Sequence, residues 1–372
     1  MKKIMIVFGT RPEAIKMAPL VLELKKTKNI TTKVCVTAQH RDMLDMVLNL
    51  FGIDPDYDLD LMKAGQNITS ITVRVLQGLE KVYQAEKPDL VLVHGDTTTT
   101  MAAALAAFYL KIPVGHVEAG LRSGNIYSPY PEEMNRRLTG DLAELHFAPT
   151  ERNKQSLIRE GNTKDNIIVT GNTVIDALLM VVKDKYQFKE PLLNKLTNSS
   201  NKLVLLTAHR RENWGLPMQE IFNAIKDLLL QNPSVEVIFP VHLNPVVRDL
   251  ADEVFGDLPR AHLIPPLDYE PFVNLMARAY LILTDSGGIQ EEAPALGKPV
   301  LVLRTETERP EAVEAGTVKI VGIKRVDIIK ESEILLNDSN EYNKMAKAIN
   351  PYGDGMAAER IAGFLNTWLR EK

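Results

Sequence analysis

The sequence contains a single cysteine and no long hydrophobic run. One cysteine among 372 residues cannot form a disulfide within the chain or a cysteine-based zinc site. Cys35 stands in an apolar-leaning run, which predicts a buried side chain. The longest uncharged, apolar-leaning run covers residues 97–110 and is shorter than the roughly 18 residues that a membrane-spanning helix needs. The sequence therefore predicts neither a disulfide scaffold nor a membrane protein.

The chain also lacks an excess of basic charge. Its 44 Lys+Arg and 48 Asp+Glu give a formal net charge of −4, and no dense basic stripe stands out. Chains that bind nucleic acid usually carry one or the other, so we expect no nucleic-acid partner. Residues 1–8 contain two lysines followed by an apolar run, but no small-residue cleavage site follows. We interpret them as a first strand and expect a cytoplasmic protein.

Three motifs of common cofactor and metal sites are absent. The sequence has no G-x-G-x-x-G fingerprint, no G-x-x-x-x-G-K-[ST] loop and no H-E-x-x-H. None of the seven histidines forms a close metal-ligand pair. We therefore expect no nicotinamide or other cofactor, no P-loop nucleotide site and no dedicated metal site.

Short apolar runs alternate with helical patterns along the chain. At about 150 residues per domain, the length predicts two domains, with three as the alternative. Short β-branched strands bounded by Gly, Pro or Asp are typical of parallel sheets buried on both faces, and their alternation with helices predicts a doubly wound α/β fold. The predicted strands are 4–8, 34–37, 90–93, 114–117, 145–148, 167–169, 203–207, 235–239, 262–264, 281–284 and 300–303. The predicted helices include 14–26, 68–85, 98–109, 218–230 and 271–278.

The strand–helix pattern runs twice, with a polar stretch between the two series. We interpret that stretch, 183–202, as an interdomain connection or a surface excursion, which places the domain boundary between 170 and 200. A turn-rich segment at 351–355 ends the second series. An amphipathic helix follows over 356–370 and could pack on either domain.

Polar residues follow directly on the ends of five predicted strands, at 94–97, 118–122, 208–212, 240–244 and 285–288. In an open parallel sheet, ligands bind outside the carboxyl ends of the strands. Each cluster therefore lies at the binding edge of its own sheet, and all five line a cleft if the two sheets face each other. Five such clusters are hard to explain as solvated loops, so the pattern predicts a ligand site.

Two strand-to-helix segments suit an anion. Residues 285–292 join a strand to a helix through two glycines, which let backbone N–H groups approach a phosphate; a tight turn is the alternative. Residues 9–13 have similar geometry, with Pro12 placed for a helix start. Arg11 and Lys16 would then face the ligand, and their alternative is solvation at the surface.

The other charged residues divide between the two halves of the chain. Three carboxylates lie near the edge of the first sheet: Asp96, Glu118 and Glu132. Basic groups lie near the second: His209, Arg210, Arg211, His242 and Arg309. The division suits a ligand with an anionic half and a sugar-like half that faces the carboxylates. Each residue has a structural alternative, such as a helix cap by Asp96, a salt bridge or a structural histidine.

The motifs are distributed over nearly the whole chain. They lie at 8–16 (FGTRPEAIK), 94–100 (HGDTTTT), 116–122 (HVEAGLR), 130–136 (YPEEMNR), 209–212 (HRRE), 240–245 (PVHLNP), 284–297, 308–311 (ERPE) and 350–355. Together they resemble the non-hydrolysing UDP-N-acetylglucosamine 2-epimerases, and the match is specific.

The resemblance implies the glycosyltransferase-B architecture, in which two Rossmann-like domains face each other across a cleft. The N-terminal domain would cover 1–172 and be joined by the last helix, 354–372; the C-terminal domain would cover 173–353. The resemblance also implies a homodimer, and a reaction that interconverts UDP-GlcNAc and UDP-ManNAc without metal or nicotinamide. The product would enter surface polysaccharide or teichoic acid linkage synthesis.

The implied chemistry is an anti elimination of UDP followed by its re-addition. The C2 proton of an amino sugar is hardly acidic, because no carbonyl conjugates the carbanion. Its removal becomes feasible if UDP leaves C1 in the same step and gives 2-acetamidoglucal, after which UDP adds back and C2 is protonated on the other face. Such a step needs a carboxylate base, an acid on the opposite face and cations for the diphosphate.

The resemblance also implies roles for individual residues. The catalytic set would be Asp96, Glu118, Glu132 and His209, with the two faces of C2 not assigned among the carboxylates. The substrate-binding set would be Arg11, Lys16, Arg136, His242, Phe272, Ser286, Gly287, Gly288, Glu292 and Arg309. Within this set, Glu292 would bind the ribose hydroxyls and Phe272 would stack near uracil.

Some bacterial members of this family bind a second UDP-GlcNAc as an activator. Gln39, His40 and Arg41 resemble part of that pocket, whereas Asp42 and Gly65 stand where those relatives carry Gln or Glu and Arg. Because a lost cation weakens the hold on a second diphosphate, we expect less sigmoidal rates against UDP-GlcNAc.

Three alternatives stay open at this point. A hydrolysing 2-epimerase would share the elimination step and release ManNAc with UDP. A UDP-sugar glycosyltransferase of the same architecture would need an acceptor surface, and three carboxylates would be excessive for it. A non-catalytic nucleotide-sugar sensor would need no acid/base set at all.

Overall fold

A computed structural model describes residues 1–37, 41–61 and 65–372. The chain divides into two units, which we name the N-terminal unit (Met1–Leu179 with Tyr352–Lys372) and the C-terminal unit (Met180–Pro351). Each unit is built on its own parallel sheet, with helices in the connections. The predicted fold class, two parallel α/β domains, is confirmed.

The sheet of the N-terminal unit contains seven strands among the described residues. They are β1 (Lys2–Phe8), β2 (Ile30–Val36), β3 (Tyr57–Asp58), β4 (Leu90–His94), β5 (Val114–Val117), β6 (Leu145–Ala148) and β7 (Ile167–Val169). Their order is β3-β2-β1-β4-β5-β6-β7, and all neighbours pair in parallel. The winding reverses between β1 and β4, which makes the carboxyl ends of these two strands the expected place for a ligand.

Helices connect the strands of the N-terminal unit. They are α1 (Arg11–Lys26), α2 (Arg41–Phe51), α3 (Ile68–Glu86), α4 (Thr98–Tyr109), α5 (Glu132–Leu142), α6 (Glu151–Arg159) and α7 (Thr173–Val181). A buried cluster joins strand residues such as Val91 and Val93 to the alanines of α4, whose small side chains let the helix lie close to the sheet. Cys35 belongs to this cluster, and burial raises the pKa of its thiol to about 12, so the predicted burial is confirmed.

The sheet of the C-terminal unit has six parallel strands in the order β10-β9-β8-β11-β12-β13, counted within the described chain. They are β8 (Lys202–Thr207), β9 (Val235–Pro240), β10 (Ala261–Ile264), β11 (Leu281–Thr284), β12 (Val300–Val302) and β13 (Val318–Ile320). The winding reverses between β8 and β11, as it does between β1 and β4 in the other unit. A second potential ligand edge therefore lies at the ends of β8 and β11.

The helices of the C-terminal unit include one inside the polar stretch that was interpreted as a connection. They are α8 (Pro191–Thr197), α9 (Leu216–Gln231), α10 (Pro245–Phe255), α11 (Tyr269–Met276), α12 (Ile289–Ala295), α13 (Pro310–Glu314), α14 (Arg325–Asn337) and α15 (Ser339–Ala346). The stretch 183–202 was expected to be a connection or an excursion, yet it contains α8 with Leu193 and Leu196 buried. The helix is short and buries only these two leucines, so the polar residues around them dominate the sequence pattern.

The last helix, α16 (Ala357–Glu371), belongs to the N-terminal unit. It packs on α1, and Phe364 meets Phe147 edge to face with ring centroids 6.0 Å apart. The backbone N–H groups of Ala357 and Ala358 donate to the buried carboxylate of Asp176, at 3.2 and 2.8 Å. This contact ties α7 to α16, so the division falls after Leu179 and not after 172.

No helix in the described ranges has both the length and the hydropathy to cross a membrane.

Candidate active site

Three loops meet at the carboxyl edge of the N-terminal sheet, because β4 has β1 and β5 as its neighbours. The end of β4 is tied to β5 by the backbone N–H of Gly95, which donates to the carbonyl of Val117 at 2.9 Å. Asp96 and Glu118 are the next residues of these two loops. A Cβ on Gly95 would lie 3.7 Å from Oε1 of Glu118, so the two loops lie side by side.

Glu118 is held by hydrogen bonds from two elements. Its Oε2 accepts from Nζ of Lys16 at 2.5 Å and from Nδ2 of Asn172 at 2.8 Å, and Nε2 of His94 lies 3.6 Å away. The backbone of Glu118 has φ +60°, a left-handed conformation that costs energy for a residue with a side chain. The fold thus holds a strained residue at the point where β5 ends.

The charge around Glu118 favours its ionised form. Burial by itself would raise the pKa of this carboxyl, but the Lys16 ammonium and then the His94 ring outweigh burial and hold the pKa well below its usual value. Both side chains are largely buried, with 19% of Lys16 and 13% of Glu118 exposed. Glu118 is therefore a carboxylate at neutral pH, as a proton acceptor must be.

Asp96 is oriented by an arginine from α5. Its Oδ2 accepts from Nε and Nη2 of Arg136, at 2.8 and 2.7 Å, and its backbone carbonyl accepts from Nδ2 of Asn135 at 2.9 Å. The cap of α4 is Thr97, whose Oγ1 accepts from the Thr100 N–H, so the alternative of Asp96 as the cap is wrong. Oδ1 of Asp96 makes no hydrogen bond with any residue that the structure describes.

Arg136 and Glu132 lie one helical turn apart on α5. Arg136 is buried and also donates to Glu133 at 3.1 Å, while Glu133 accepts from the backbone N–H groups of Ser123 and Gly124. Oε2 of Glu132 is buried and has no hydrogen-bond partner in the described part of the chain. A buried acceptor without a hydrogen-bond partner lowers the stability of the protein. A proton or a ligand on this oxygen of Glu132 would remove that cost, so Glu132 is a candidate for contact with a ligand.

His116 begins the motif HVEAGLR and has no predicted role. It lies on β5, fully buried, and burial lowers its pKa to about 3, so its ring is neutral. Nε2 lies 2.7 Å from the carbonyl of Gly95, and since a carbonyl can only accept, Nε2 carries the proton. His116 therefore holds the loop that bears Asp96. A histidine inside the apolar strand Val114–Val117 is the sequence signal that could have identified it.

The loop after β1 leads to a cation, Arg11, and to a buried carboxylate, Glu13. Glu13 is buried and accepts from the backbone N–H groups of Gly9 and Thr10 and from the hydroxyls of Thr97 and Thr100. It forms the capping box of α1 and links that helix to α4. Arg11, in contrast, makes no hydrogen bond or ion pair with any described residue, so its guanidinium is available for an anion.

In the C-terminal unit, the matching edge pairs His209 with Asp285. Asp285 follows β11 and is fully buried, and His209 follows β8. Nδ1 of His209 lies 3.2 Å from Oδ1 of Asp285, and the backbone N–H of His209 donates to Oδ2 at 2.9 Å. Burial lowers the pKa of His209, although the Asp285 charge opposes this. Asp285 lies in the segment that was predicted to bind phosphate, and its contact with His209, 76 residues away, has no signal in the sequence.

The residues after Asp285 form the expected glycine-containing turn. The backbone N–H of Ser286 donates to Oγ1 of Thr284 at 2.9 Å, and Gly287 and Gly288 lead into α12. A Cβ on Gly287 would lie 3.7 Å from Nη2 of Arg210, so a guanidinium adjoins the turn. Nε of Arg210 is buried and has no hydrogen-bond partner within the described ranges.

Glu292 and Arg309 lie on the far side of the same turn. Oε1 of Glu292 accepts from the Tyr269 hydroxyl at 3.1 Å, and a Cβ on Gly288 would lie 3.8 Å from Oε2. Arg309 donates through Nε to the buried carboxylate of Glu291. Glu292 therefore lies beside the glycine turn, and Arg309 is paired with Glu291 of the same unit.

The remaining predicted residues lie around these groups. His242 follows β9, is exposed and stacks on His209 with ring centroids 6.0 Å apart. Phe272 is half-buried on α11. Of the second pocket, Gln39 and His40 lie outside the described residues, and Arg41 is the first residue of α2. Within the described ranges, no group of three His, Cys, Asp or Glu is placed to hold a metal ion.

The chain is similar to known proteins over nearly its whole length. The family model described as UDP-N-acetylglucosamine 2-epimerase matches residues 22–366. A Bacillus subtilis protein named UDP-N-acetylglucosamine 2-epimerase is 57% identical over 359 residues, which are 96% of this chain and 93% of that protein.

Solved structures are similar over the whole chain. UDP-GlcNAc 2-epimerase from Neisseria meningitidis, bound to UDP-GlcNAc, is 52% identical with a TM-score of 0.87 and covers 98% of this chain and 100% of its own. The S. aureus MnaA structure with UDP is 49% identical with a TM-score of 0.90, covering 100% and 97%. A glycotransferase of kitacinnamycin is 12% identical with a TM-score of 0.67, covers 98% of each chain and shares the fold alone.

The family model spans most of the chain, and the relatives are more than half identical or close to it over nearly their full length. The chain belongs to the UDP-N-acetylglucosamine 2-epimerase family.

Proposed function

We propose that this protein interconverts UDP-GlcNAc and UDP-ManNAc at C2 without net hydrolysis. The observation that carries the proposal is the carboxyl edge of the N-terminal sheet. There Glu118 is kept ionised by Lys16, Oδ1 of Asp96 has no hydrogen-bond partner within the described ranges, and Glu132 buries an oxygen with none either. Binding alone needs no such set of carboxylates, whereas moving a proton on and off a carbon does.

The first half of the reaction is an elimination. A carboxylate takes the C2 proton, the C2–H electron pair forms the C1=C2 double bond, and the C1–O bond breaks with its electron pair going to the β-phosphate oxygen of UDP. The products are 2-acetamidoglucal and UDP. The reverse addition, with C2 protonated by a carboxylic acid on the opposite face, gives the other epimer. No atom is gained or lost over the full cycle.

The residues divide naturally over this reaction. Asp96, Glu118 and Glu132 supply the acid and base groups, with Arg136 orienting Asp96 and Lys16 holding Glu118. The developing negative charge on the departing diphosphate needs fixed donors. We assign this task to Arg11 of the N-terminal unit and to further donors of the C-terminal unit: His209, Ser286, Gly287, Gly288 and Arg309. The nucleoside would be bound by Glu292 and Phe272, with His242 beside His209.

The remaining parts of the proposal rest on the family. We infer a homodimer located in the cytoplasm, with UDP-ManNAc supplied to surface polysaccharide or teichoic acid linkage synthesis. The names of similar proteins support the substrate, since the Neisseria meningitidis structure holds UDP-GlcNAc and the S. aureus structure holds UDP.

The test is incubation with UDP-GlcNAc in D2O, followed by NMR of the sugar products. We expect UDP-ManNAc, with deuterium at C2 of both epimers and no free ManNAc. Free ManNAc accumulating together with UDP would establish the hydrolysing reaction instead, and epimerisation without deuterium at C2 would eliminate proton abstraction at that carbon.

Two variants test whether the carboxylates at the carboxyl edge of the N-terminal sheet carry out the reaction. Asp96→Asn and Glu118→Gln should each lower kcat by about 10²- to 10⁴-fold, the usual contribution of a general acid or base, while UDP affinity stays near the wild-type value. The matched control is Glu23→Gln, which removes a carboxylate that pairs with Lys26 at the exposed face of α1. Near-normal turnover in both site variants would refute the assignment.

A further inference from the structure

We propose that Asp285 is a positioning residue that acts through His209: it fixes the His209 ring with Nδ1 toward its own carboxylate and Nε2 toward the diphosphate. The inference deepens the proposed function and rests on it for the identity of the ligand. Asp285 itself is fully buried and does not meet the substrate.

One carboxylate oxygen of Asp285 holds the loop that carries His209. Oδ2 accepts from the backbone N–H groups of His209 and Arg210, at 2.9 and 2.8 Å, and from Nδ2 of Asn213 at 3.2 Å. These donors follow β8, while Asp285 follows β11, the adjacent strand. The carboxylate therefore spans the point where the winding of this sheet reverses.

The other oxygen is left for the imidazole. Oδ1 lies 3.2 Å from Nδ1 of His209, which is an ion-pair distance, and it accepts no hydrogen bond from any residue in the described part of the chain. A carboxylate oxygen can accept but not donate, so this contact favours the neutral tautomer that carries its proton on Nδ1. The remaining nitrogen, Nε2, lies across the ring from this contact. The side chain of His209 is 39% exposed, so a ligand can reach the ring.

Among the groups that act on the pKa of His209, Asp285 is the one that raises it. Three groups that titrate or carry charge act on His209: Asp285 after β11, Arg210 in its own loop, and His242 after β9. Burial lowers the pKa of His209, and Arg210 and His242 act in the same direction, while Asp285 alone raises it. The Asp285 charge thus favours the imidazolium against burial and against its two cationic or titratable neighbours.

The consequence for the reaction follows from the two states of the ring. Protonated His209 presents an Nε2–H that can donate to an oxygen of the departing diphosphate, and Asp285 balances its charge. Neutral His209 presents a lone pair at Nε2 and cannot stabilise the anion. Activity should therefore be lost as the pH rises through the pKa that His209 has in the complex with the anionic diphosphate, and Asp285 raises that pKa.

The variant Asp285→Asn removes the negative charge of the side chain and keeps its shape. An asparagine oxygen can still accept the backbone N–H groups at the Oδ2 position, but its NH2 then faces Nδ1 and can only donate. The neutral His209 ring must then carry its proton on Nε2. In the imidazolium, the N–H at Nδ1 would face the NH2 of the asparagine, which is also a donor. We expect kcat to fall about 10²-fold, KM to change by no more than about threefold, and the alkaline limb of kcat to move about one pH unit lower.

A double-mutant cycle distinguishes positioning from mere loop support. His209→Gln should lower kcat about as much as Asp285→Asn, and the double variant should be no slower than about threefold below either single variant, because both remove the same group. Multiplied losses in the double variant would mean that Asp285 acts independently of His209, and an unchanged kcat in Asp285→Asn would mean that its charge has no role. Either result overturns the proposal.

Imidazole NMR of the wild-type protein tests the geometry whether or not the enzyme epimerises. The His209 signals are assigned by their absence in His209→Gln, and the neutral ring should carry its proton on Nδ1. A neutral ring protonated at Nε2 overturns the proposal even if Asp285→Asn does not fold. The matched control is Asp176→Asn, a buried carboxylate that accepts two backbone N–H groups in the other unit and should leave kcat and the His209 titration unchanged. A shift of the His209 titration in this control as well would overturn the assignment to Asp285.

Discussion

The pair formed by Lys16 and Glu118 provides the sharpest test of the electrostatics of this site. The substitution Lys16→Met removes the ammonium but keeps an unbranched side chain of similar length on α1. Glu118 then keeps its hydrogen bond from Asn172 at 2.8 Å and the His94 ring at 3.6 Å, but it loses the cation at 2.5 Å. Burial, which raises the pKa of a carboxyl, is no longer outweighed by the ammonium.

The size of the effect can be worked out from the pair. An adjacent opposite charge lowers the pKa of a carboxyl by about 1 to 3 units, and each unit corresponds to about 1.4 kcal/mol. Removing one partner of a buried ion pair costs about 3–5 kcal/mol, because the other charge stays buried without compensation. Lys16 and Glu118 are 19% and 13% exposed, which places them near the lower end of that range. We therefore expect the free energy of unfolding at neutral pH to fall by about 3 kcal/mol.

The loss should depend on pH in a defined direction. In the wild-type protein, the pKa of Glu118 is below its unfolded value of about 4.3, so its contribution is present above that pH and is lost as the pH falls through the folded pKa. In Lys16→Met the folded pKa rises, and where it exceeds the unfolded value, stability is lost as the pH increases through it. The difference between the two proteins should thus be smallest near pH 4 and largest near pH 8.

The assay follows unfolding of the N-terminal unit alone. The sequence has two tryptophans, and Trp214→Phe leaves Trp368 on α16 as the only one. Urea unfolding followed by Trp368 fluorescence, at several pH values between about 4 and 8, gives the difference in stability as a function of pH. The control is Lys26→Met on the same helix, whose ammonium pairs with Glu23 but is 72% exposed.

Two outcomes would contradict this reasoning. One is a constant difference at every pH, which would mean that the lysine contributes by packing and not by its charge on Glu118. The other is an equal loss in Lys26→Met, for which we expect a change within about 0.5 kcal/mol, as is usual for an exposed position.

Three further predictions concern the loops that carry the carboxylates. His116→Phe removes the donor to the Gly95 carbonyl and should lower kcat by about 10- to 10²-fold through misplacement of the Asp96 loop, as measured by steady-state kinetics. In the wild-type protein, with its pKa lowered to about 3, His116 should show no titration by NMR between about pH 5 and 8; a midpoint near the ordinary value of about 6.5 would contradict the burial argument. Gly120→Ala should destabilise the N-terminal unit by about 3 kcal/mol or more, because the residue has φ +92° and a Cβ would lie 2.3 Å from the carbonyl oxygen of Asn153. The control Gly363→Ala on α16, where nothing lies within 4 Å of the Cβ, should raise the free energy of unfolding by about 0.5–1 kcal/mol; equal urea midpoints for the two glycine variants would refute the steric argument.

Much of the fold could be predicted because the buried strands are almost entirely apolar. β1, β4 and β11 have nearly every side chain buried, and their sequences show it as short uninterrupted runs. The two strands that were missed, Tyr57–Asp58 and Val318–Ile320, lie at sheet edges and have only two and three residues. The other two edge strands, Ile167–Val169 and Ala261–Ile264, were predicted, so an edge strand escapes detection where it is very short and carries a charged residue, as Asp58 and Lys319 do here.

Candidate site residues could be predicted where a charged group follows an apolar strand. Asp96 and Glu118 stood out for that reason, because the carboxyl end of a parallel strand has a fixed relation to the ligand edge. The partners of these residues did not stand out. Asn172, which donates to Glu118, is 54 residues away along the chain, and Asp285 is 76 residues from His209.

By itself, the sequence determined the architecture and the chemical types at each sheet edge, because burial of apolar side chains and the positions of glycine and proline are local properties. The tertiary structure alone decided which polar atoms meet. It turned Arg136 toward Asp96, made Thr97 the cap of α4, left His116 neutral beneath the Gly95 carbonyl and set Asp285 behind His209. These properties depend on distances of about 3 Å and on the exclusion of water around each pair, and neither can be read from residues that are far apart in the chain.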